Sequence, residues 1–234
     1  MTSLTPGFHA LWPTPLAVER FARAAAINPL LVRIFTAMRA AREHERGEAP
    51  GSFHASDDDL LHRIDLPEWS EFVAFVVERL QATMAQANRG VWPAGRLSLK
   101  VEIAGMWFQI GNHGAYHDVH NHGNCSWSGV YYVQIDPPEA RHAHPAFAEN
   151  NGRTRFYGPY LPRLGGAHMD LGNAYLQRPH VDVEPEEGLL VVFPAYLEHH
   201  ALPYAGARDR IIVSFNAALH ASEGSDRLFA YAAG

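Results

Sequence analysis

The sequence predicts a mainly β protein of the α+β class, a β-sandwich or barrel buttressed by amino-terminal helices. Three observations lead there. Helical periodicity is confined to about the first 95 residues, alternating apolar segments dominate from Arg96 onward, and 234 residues with 47% hydrophobic content suffice for a full core. Helices followed by many short strands suit sheets packed together with helices on one side. The expected organisation is one domain over 1–234, with helical support in 1–95 and the β core in 96–220.

Along the chain, residues 15–46 read as two helices broken near Asn28-Pro29, with Phe21, Ile27, Leu31, Ile34, Phe35 and Met38 facing inward. Gly47 to Asp59 is polar and Gly-bearing, which predicts a loop. Asp65-Leu66-Pro67-Glu68 is a helix start, with an Asp cap, Pro in the first turn and an acid three residues on. Trp69, Phe72, Val73, Val76, Leu80 and Met84 then form one helical face, which Arg89-Gly90 ends. Strands are predicted over Leu97–Ile103, Met106–Ile110, Val130–Ile135, Arg153–Tyr157, Leu189–Phe193 and Arg210–Phe215. The segment 137–187 holds about one strand's worth of pattern and is otherwise rich in Pro, Gly, His and Arg, so it reads as a lid-like insert with Gly165-Gly166 as hinge.

Composition excludes several classes of function. A net charge of −6 with scattered arginines offers no footprint for nucleic acid. No apolar run approaches the ~20 residues needed to span a bilayer, and no secretory signal is visible at the amino terminus. Cys125 is the single cysteine, which excludes an internal disulfide and fits a reducing cytoplasm. Histidine is the outlier, with 15 in all and four between His113 and His122. That density is the usual composition of a metal site.

His120-Asn121-His122 precedes a β-rich run, and extended backbone would turn both imidazoles to one side. His199 follows the apolar strand Leu189–Phe193 after Pro194, and Arg210 opens another strand. His120, His122 and His199 are therefore the candidate metal ligands. Imidazole suits Fe, Zn, Cu or Ni, so ligand type alone does not choose the metal. His117 and His200 adjoin these ligands and read as supporting residues, Trp107 and Phe108 as core, and His142 and His144 as solvated.

The order H-x-H, Ser128-Gly129-Val130-Tyr131-Tyr132-Val133, Gly188-Leu189-Leu190-Val191-Val192-Phe193-Pro194 with His199, and Arg210-Ile211-Ile212-Val213-Ser214-Phe215-Asn216 resembles the 2-oxoglutarate/Fe(II)-dependent oxygenases. It is most similar to a bacterial group of that superfamily. Leu11-Trp12-Pro13-Thr14-Pro15-Leu16 and Phe53-His54-Ala55-Ser56-Asp57-Asp58-Asp59-Leu60 extend the similarity to the front of the chain. The resemblance implies a double-stranded β-helix, a cupin-like jelly-roll with the metal at its open end. It also implies Fe(II), 2-oxoglutarate as co-substrate and O2. His120 would be the first ligand and His199 the distal one, while Arg210 and Tyr132 would hold the far carboxylate of 2-oxoglutarate. A guanidinium fork suits a buried carboxylate because it binds through two parallel hydrogen bonds and stays charged. Ser214 and Gln109 could add donors, Asn216 would line the pocket, and Arg208 is the reserve anchor. The expected reaction is hydroxylation of a C–H bond of a small molecule, with release of succinate and CO2. A homo-oligomer is left open.

The sequence departs from the superfamily at position 122, where most members carry Asp or Glu. Three readings follow: His122 is a ligand, Asp118 or Glu198 substitutes for it, or the position is vacant, as halogenation would need. The motif position favours His122, with Asp118 orienting an imidazole. The rival functions are a three-His cupin-type enzyme that does not use 2-oxoglutarate and a non-catalytic metal-binding jelly-roll. Arg153, Arg155, Arg163 and Arg178 in the insert read as solvated rather than substrate-binding.

Overall fold

The computed structural model describes residues 6–7, 13–47, 49, 51–92, 98–158 and 179–223. The front holds β1 (Ala17–Arg20), α1 (Ala24–Arg46), β2 (Phe53–Ala55), α2 (Leu60–Arg63) and α3 (Pro67–Ala87). Then come β3 (Ser98–Gly111), β4 (Ala115–His120), β5 (Trp127–Gln134), α4 (Pro138–His142), β6 (Thr154–Tyr157), β7 (His180–Val183), β8 (Leu189–Pro194), β9 (His199–Tyr204) and β10 (Arg210–Glu223).

The strands form two antiparallel sheets, one in the order β1-β8-β5-β10-β3-β2 and the other β4-β9-β6-β7. From β3 to β10 the chain passes back and forth between them, which is the winding of a double-stranded β-helix. The large sheet is covered on both faces, so β5 and β8 are buried along nearly their whole length rather than at alternate residues. Tyr131, Val133, Leu190 and Val192 face the helices and join Phe35, Phe72, Val76 and Phe108 in one core. Val130, Tyr132, Leu189, Val191, Phe193 and Ile212 face the small sheet and meet Phe156 and Val183 inside the barrel.

Several expectations are corrected. Residues 24–46 are one helix that runs through Pro29 rather than two. Proline removes a single N–H there, and buried Asn28 holds the turn by donating to the Val133 carbonyl (2.9 Å) and accepting from the Tyr131 hydroxyl (2.7 Å). The cap of α3 is Leu66, not Asp65, with Pro67 in the first helical position. The expected loop 47–59 contains β2, which pairs with β3. The expected strands Leu97–Ile103 and Met106–Ile110 are one strand, β3, with a bulge. Asn216 pairs with Gly105 and Ala217 with Ile103, so Ala104 is the extra residue. The bulge flips side-chain parity and keeps both Phe108 and Ile103 on the helix side. The segment 137–187 is not wholly an insert: β6 and β7 within it belong to the small sheet, and α4 packs beside them. Gly165-Gly166, Arg163 and Arg178 lie outside the described residues.

Candidate metal centre

β4 and β9 pair so that His120 stands opposite His199. Their rings are 4.2 Å apart between centroids. His122 lies two residues beyond the end of β4, and its backbone N–H donates to the Ala195 carbonyl in the β8–β9 turn (2.9 Å). This tie, rather than continued strand, swings its ring toward the other two, 5.2 Å from His120 and 5.3 Å from His199. One nitrogen from each of the three lies within 4.8 Å of the others. Among the described residues this is the one such group, and it includes neither Asp118 nor Glu198.

The backbone sets the rings. His120 Nδ1 meets the Asp118 carbonyl at 2.6 Å and His199 Nδ1 meets the Leu197 carbonyl at 3.0 Å. A carbonyl can only accept, so each Nδ1 carries the proton and each Nε2 keeps its lone pair for a metal. The Asp118 carboxylate, expected to orient an imidazole, instead accepts from the Val119 N–H (2.8 Å), and its backbone carbonyl does the orienting. Burial, followed by the neighbouring imidazoles, pushes His122 down to about 4. Burial likewise pushes His199 down to about 3, against an opposing hydrogen bond to Leu197. Both rings are neutral at physiological pH, the state in which imidazole binds metal.

A cavity opens beside the three rings, lined in part by Gln109, Ser214, Val130, Ile212 and Thr154. Tyr132 and Arg210 are not among the lining residues. The Tyr132 hydroxyl, fully buried, shares a hydrogen bond with Thr154 Oγ1 at 2.5 Å. Arg210 is only 4% exposed. Its Nη1 donates to the Leu202 carbonyl (3.1 Å), and its guanidinium carbon lies 5.7 Å from the centre of the Tyr204 ring. Burial lowers its pKa, and the groups acting on its charge are Tyr132, Tyr204 and Arg141. It has no carboxylate partner among the described residues. A desolvated guanidinium left so is costly unless an anion joins it.

Other candidates separate clearly. Asn216 is not brought to the cavity wall; its Oδ1 accepts from Ser128 (2.8 Å). His117 lines the cavity with its ring 4.1 Å from His120, whereas His200 is turned to Tyr116 and Tyr157. Arg208 is occupied by Asp136 (3.1 Å) and Glu187 (2.8 Å), away from the cavity. Arg153 pairs with Glu184 and Arg155 with Asp182, so neither is simply solvated. His142 likewise reaches Glu184 (3.3 Å), and His144 Nδ1 accepts from Phe147 N–H (3.2 Å). Phe108 is core, but Trp107 lines the cavity. Thr154 and Trp107 were not anticipated as site residues. Strand parity could have found both, since Trp107 shares a face with Gln109 and Thr154 with Phe156.

A family model described as "Putative 2OG-Fe(II) oxygenase" matches residues 105–216. No curated protein matches the chain. Similar solved structures include a Pseudomonas putida prolyl-4-hydroxylase, 17% identical, covering 87% of this chain and 92% of that one at a TM-score of 0.48. AviO1 from Streptomyces viridochromogenes is also 17% identical, covering 87% and 90% at a TM-score of 0.49. The alpha-ketoglutarate-dependent epimerase SnoN from nogalamycin biosynthesis is 13% identical, covering 87% and 77% at a TM-score of 0.49.

Proposed function

We propose that the chain is an oxygenase that uses Fe(II), 2-oxoglutarate and O2, a reading supported by the 2OG-Fe(II) oxygenase family model that matches residues 105–216, and that it hydroxylates a C–H bond of a small organic molecule. The balanced reaction consumes one O2 and one 2-oxoglutarate. One oxygen atom goes to the substrate, and the other leaves in succinate as CO2 is released.

The observation that carries this reading is the pairing of three convergent imidazoles with a buried guanidinium that has no carboxylate partner among the described residues. The donor set fits the metal: His120, His122 and His199 present one nitrogen each, and three imidazoles are a competent set for divalent iron. Fe(II) held there supplies the O2 activation that is coupled to oxidative decarboxylation of 2-oxoglutarate. The protein's part is to bind, orient and exclude water. Arg210 offers the charge that the far carboxylate needs, and that carboxylate removes the cost of an isolated buried cation. Thr154, hydrogen-bonded to the Tyr132 hydroxyl, brings a hydroxyl to the cavity wall, and Gln109 and Ser214 add donors along it. The Asp118 and Leu197 carbonyls hold two of the imidazoles in the tautomer that binds metal.

The test is anaerobic titration of 2-oxoglutarate into the Fe(II)-loaded protein, followed by visible absorption, with succinate measured after air is admitted. A weak charge-transfer band and 2-oxoglutarate-dependent succinate are expected. Neither appearing at saturating co-substrate would overturn the reading and favour a three-His metalloprotein of another kind.

A further inference from the structure

Trp107 is an aromatic side chain of the cavity wall that the roles above leave unused and, unlike Phe193 and Phe215, carries an N–H. It stands on the inner face of β3, opposite Ser214 on β10, and lines the cavity with the three imidazoles. Its ring centre is 6.4 Å from that of His122. The core tryptophan Trp69 is 3% exposed and closed in by the helices, so its own unpartnered N–H is out of reach of any ligand. Trp107 is only partly buried, and its accessible indole N–H has no hydrogen-bond partner among the described residues. The adjacent Phe108, on the other face of the same strand, is fully buried among the helices.

The second observation is the character of the wall. Among the described residues no carboxylate, ammonium or guanidinium lines the cavity; its polar groups are imidazoles, amide and hydroxyls. A charged substrate group desolvated against such a wall would find no counter-charge. The buried cation Arg210 is not among the residues that line the cavity. We propose that Trp107 is the substrate-contacting residue of this site and that the substrate group it receives is uncharged. That group is aromatic, alicyclic or aliphatic, with a hydroxyl, ether or carbonyl oxygen to accept from the indole N–H. The inference rests on the oxygenase reading for the commitment of Arg210 to the co-substrate; the Trp107 contact itself does not depend on it.

Matched pairs of small probes test it: benzamide against benzoate, and indole-3-acetamide against indole-3-acetate. Their binding to the zinc-loaded full chain is measured by saturation-transfer NMR, with and without saturating 2-oxoglutarate. With 2-oxoglutarate bound, each amide is expected to bind at least about tenfold tighter than its carboxylate, since the latter must be desolvated unpaired; without it, a carboxylate can ligate the open zinc and the preference should shrink or reverse. Trp107→Ala should weaken the amides about tenfold, and Trp107→Phe, which keeps a ring and loses the N–H, about threefold. The affinity of Trp107→Phe for 2-oxoglutarate, measured by calorimetry, should stay within about twofold of the parent, because that variant keeps a ring packed beside Ser214. Carboxylates that bind as tightly as the amides in the presence of 2-oxoglutarate overturn the proposal. So do amide affinities unchanged in Trp107→Ala, or no amide binding up to the solubility limit. If 2-oxoglutarate fails to bind while the amides bind through Trp107, the oxygenase reading falls and this one stands.

Discussion

An imidazole nitrogen binds a metal only when it is deprotonated, and burial keeps His122 and His199 neutral well below the usual range, at about 4 and about 3. Unfolded, both rings titrate near 6.5. As pH falls below that value, the unfolded chain therefore takes up protons that the folded chain refuses. Stability contributed by the neutral rings is full above about pH 6.5 and is lost as pH falls toward about 4. The metal-free protein should show a thermal midpoint that drops between pH 7 and pH 5, and His122→Ala should flatten part of that slope. A slope unchanged in the variant would mean that His122 is not the desolvated group described. The same residue decides the metal shell. His122→Ala should lower iron occupancy as severely as His120→Ala or His199→Ala, while His122→Asp should retain iron, since a carboxylate is a competent ligand. Loss of only about 10–100-fold in affinity would place His122 outside the direct ligands. Full iron content in His122→Ala would remove it from the centre altogether. The three-His cluster was legible in the sequence because H-x-H and His199 sit at or just beyond strand ends. The geometry that joins His122 to the others was not, because it depends on a backbone bond to Ala195, in a turn about seventy residues on.

Among the elements, the least predictable stretch was 137–187, where the strand expected at Arg153–Tyr157 is present as β6 but polar and Pro-rich sequence hides β7, its partner in the small sheet. β7 is four residues long, and β9 carries Pro203 beyond the stretch paired with β6, where no N–H is owed to that neighbour. The region is held by Arg141, whose side chain is fully buried. Its guanidinium donates to the Asp136 (2.9 Å), Asn151 (2.6 Å) and Pro185 (3.1 Å) carbonyls and pairs with Glu184. One side chain thus ties α4 and the turn before β6 to the approach to β8. Nothing in the local pattern around Arg141 announces this, since all its partners but one are backbone carbonyls brought together by the fold. Removing a buried paired charge costs about 3–5 kcal/mol. Arg141→Ala should lower the thermal midpoint by about 10 °C, at a few degrees per kcal/mol for a chain of this size. A change within a degree or two in thermal melts would show that the cluster is not the tie it looks to be. Gly129 illustrates the opposite case, where sequence and packing agree. Within the β5 run any Cβ there would overlap the Phe215 ring on β10, so the glycine in Ser128-Gly129-Val130 is required by the neighbouring strand.

At the scale of the whole molecule, the helices and the large sheet form a rigid back, and the small sheet closes the barrel in front, with His120 and His199 near its rim. The helix-side core was readable in advance because Trp69, Phe72, Val76, Leu80 and Met84 keep strict helical spacing and all are buried. The winding between two sheets was not readable from pattern alone and entered through resemblance, since alternation does not say which strand pairs with which. That winding places Arg210 inside the barrel with its charge unmet, and this has a consequence for global stability. An unpartnered buried cation costs stability, so replacing it with an apolar side chain of similar length should not weaken the co-substrate-free fold and can strengthen it. Arg210→Met should therefore melt at or above the parent temperature without 2-oxoglutarate, even though one bond to the Leu202 carbonyl is lost. The parent, loaded with zinc, should rise in melting temperature as 2-oxoglutarate is added, because a ligand that binds only the folded state stabilises it in proportion to ln(1 + [L]/Kd). Arg210→Met should lose most of that rise at the same concentration, for the loss of a charge-assisted pair weakens affinity by about 30-fold or more. The two measurements must move in opposite directions. A variant that is destabilised without co-substrate and still responds fully to it would make Arg210 a structural residue and leave the carboxylate anchor to be found elsewhere in the barrel.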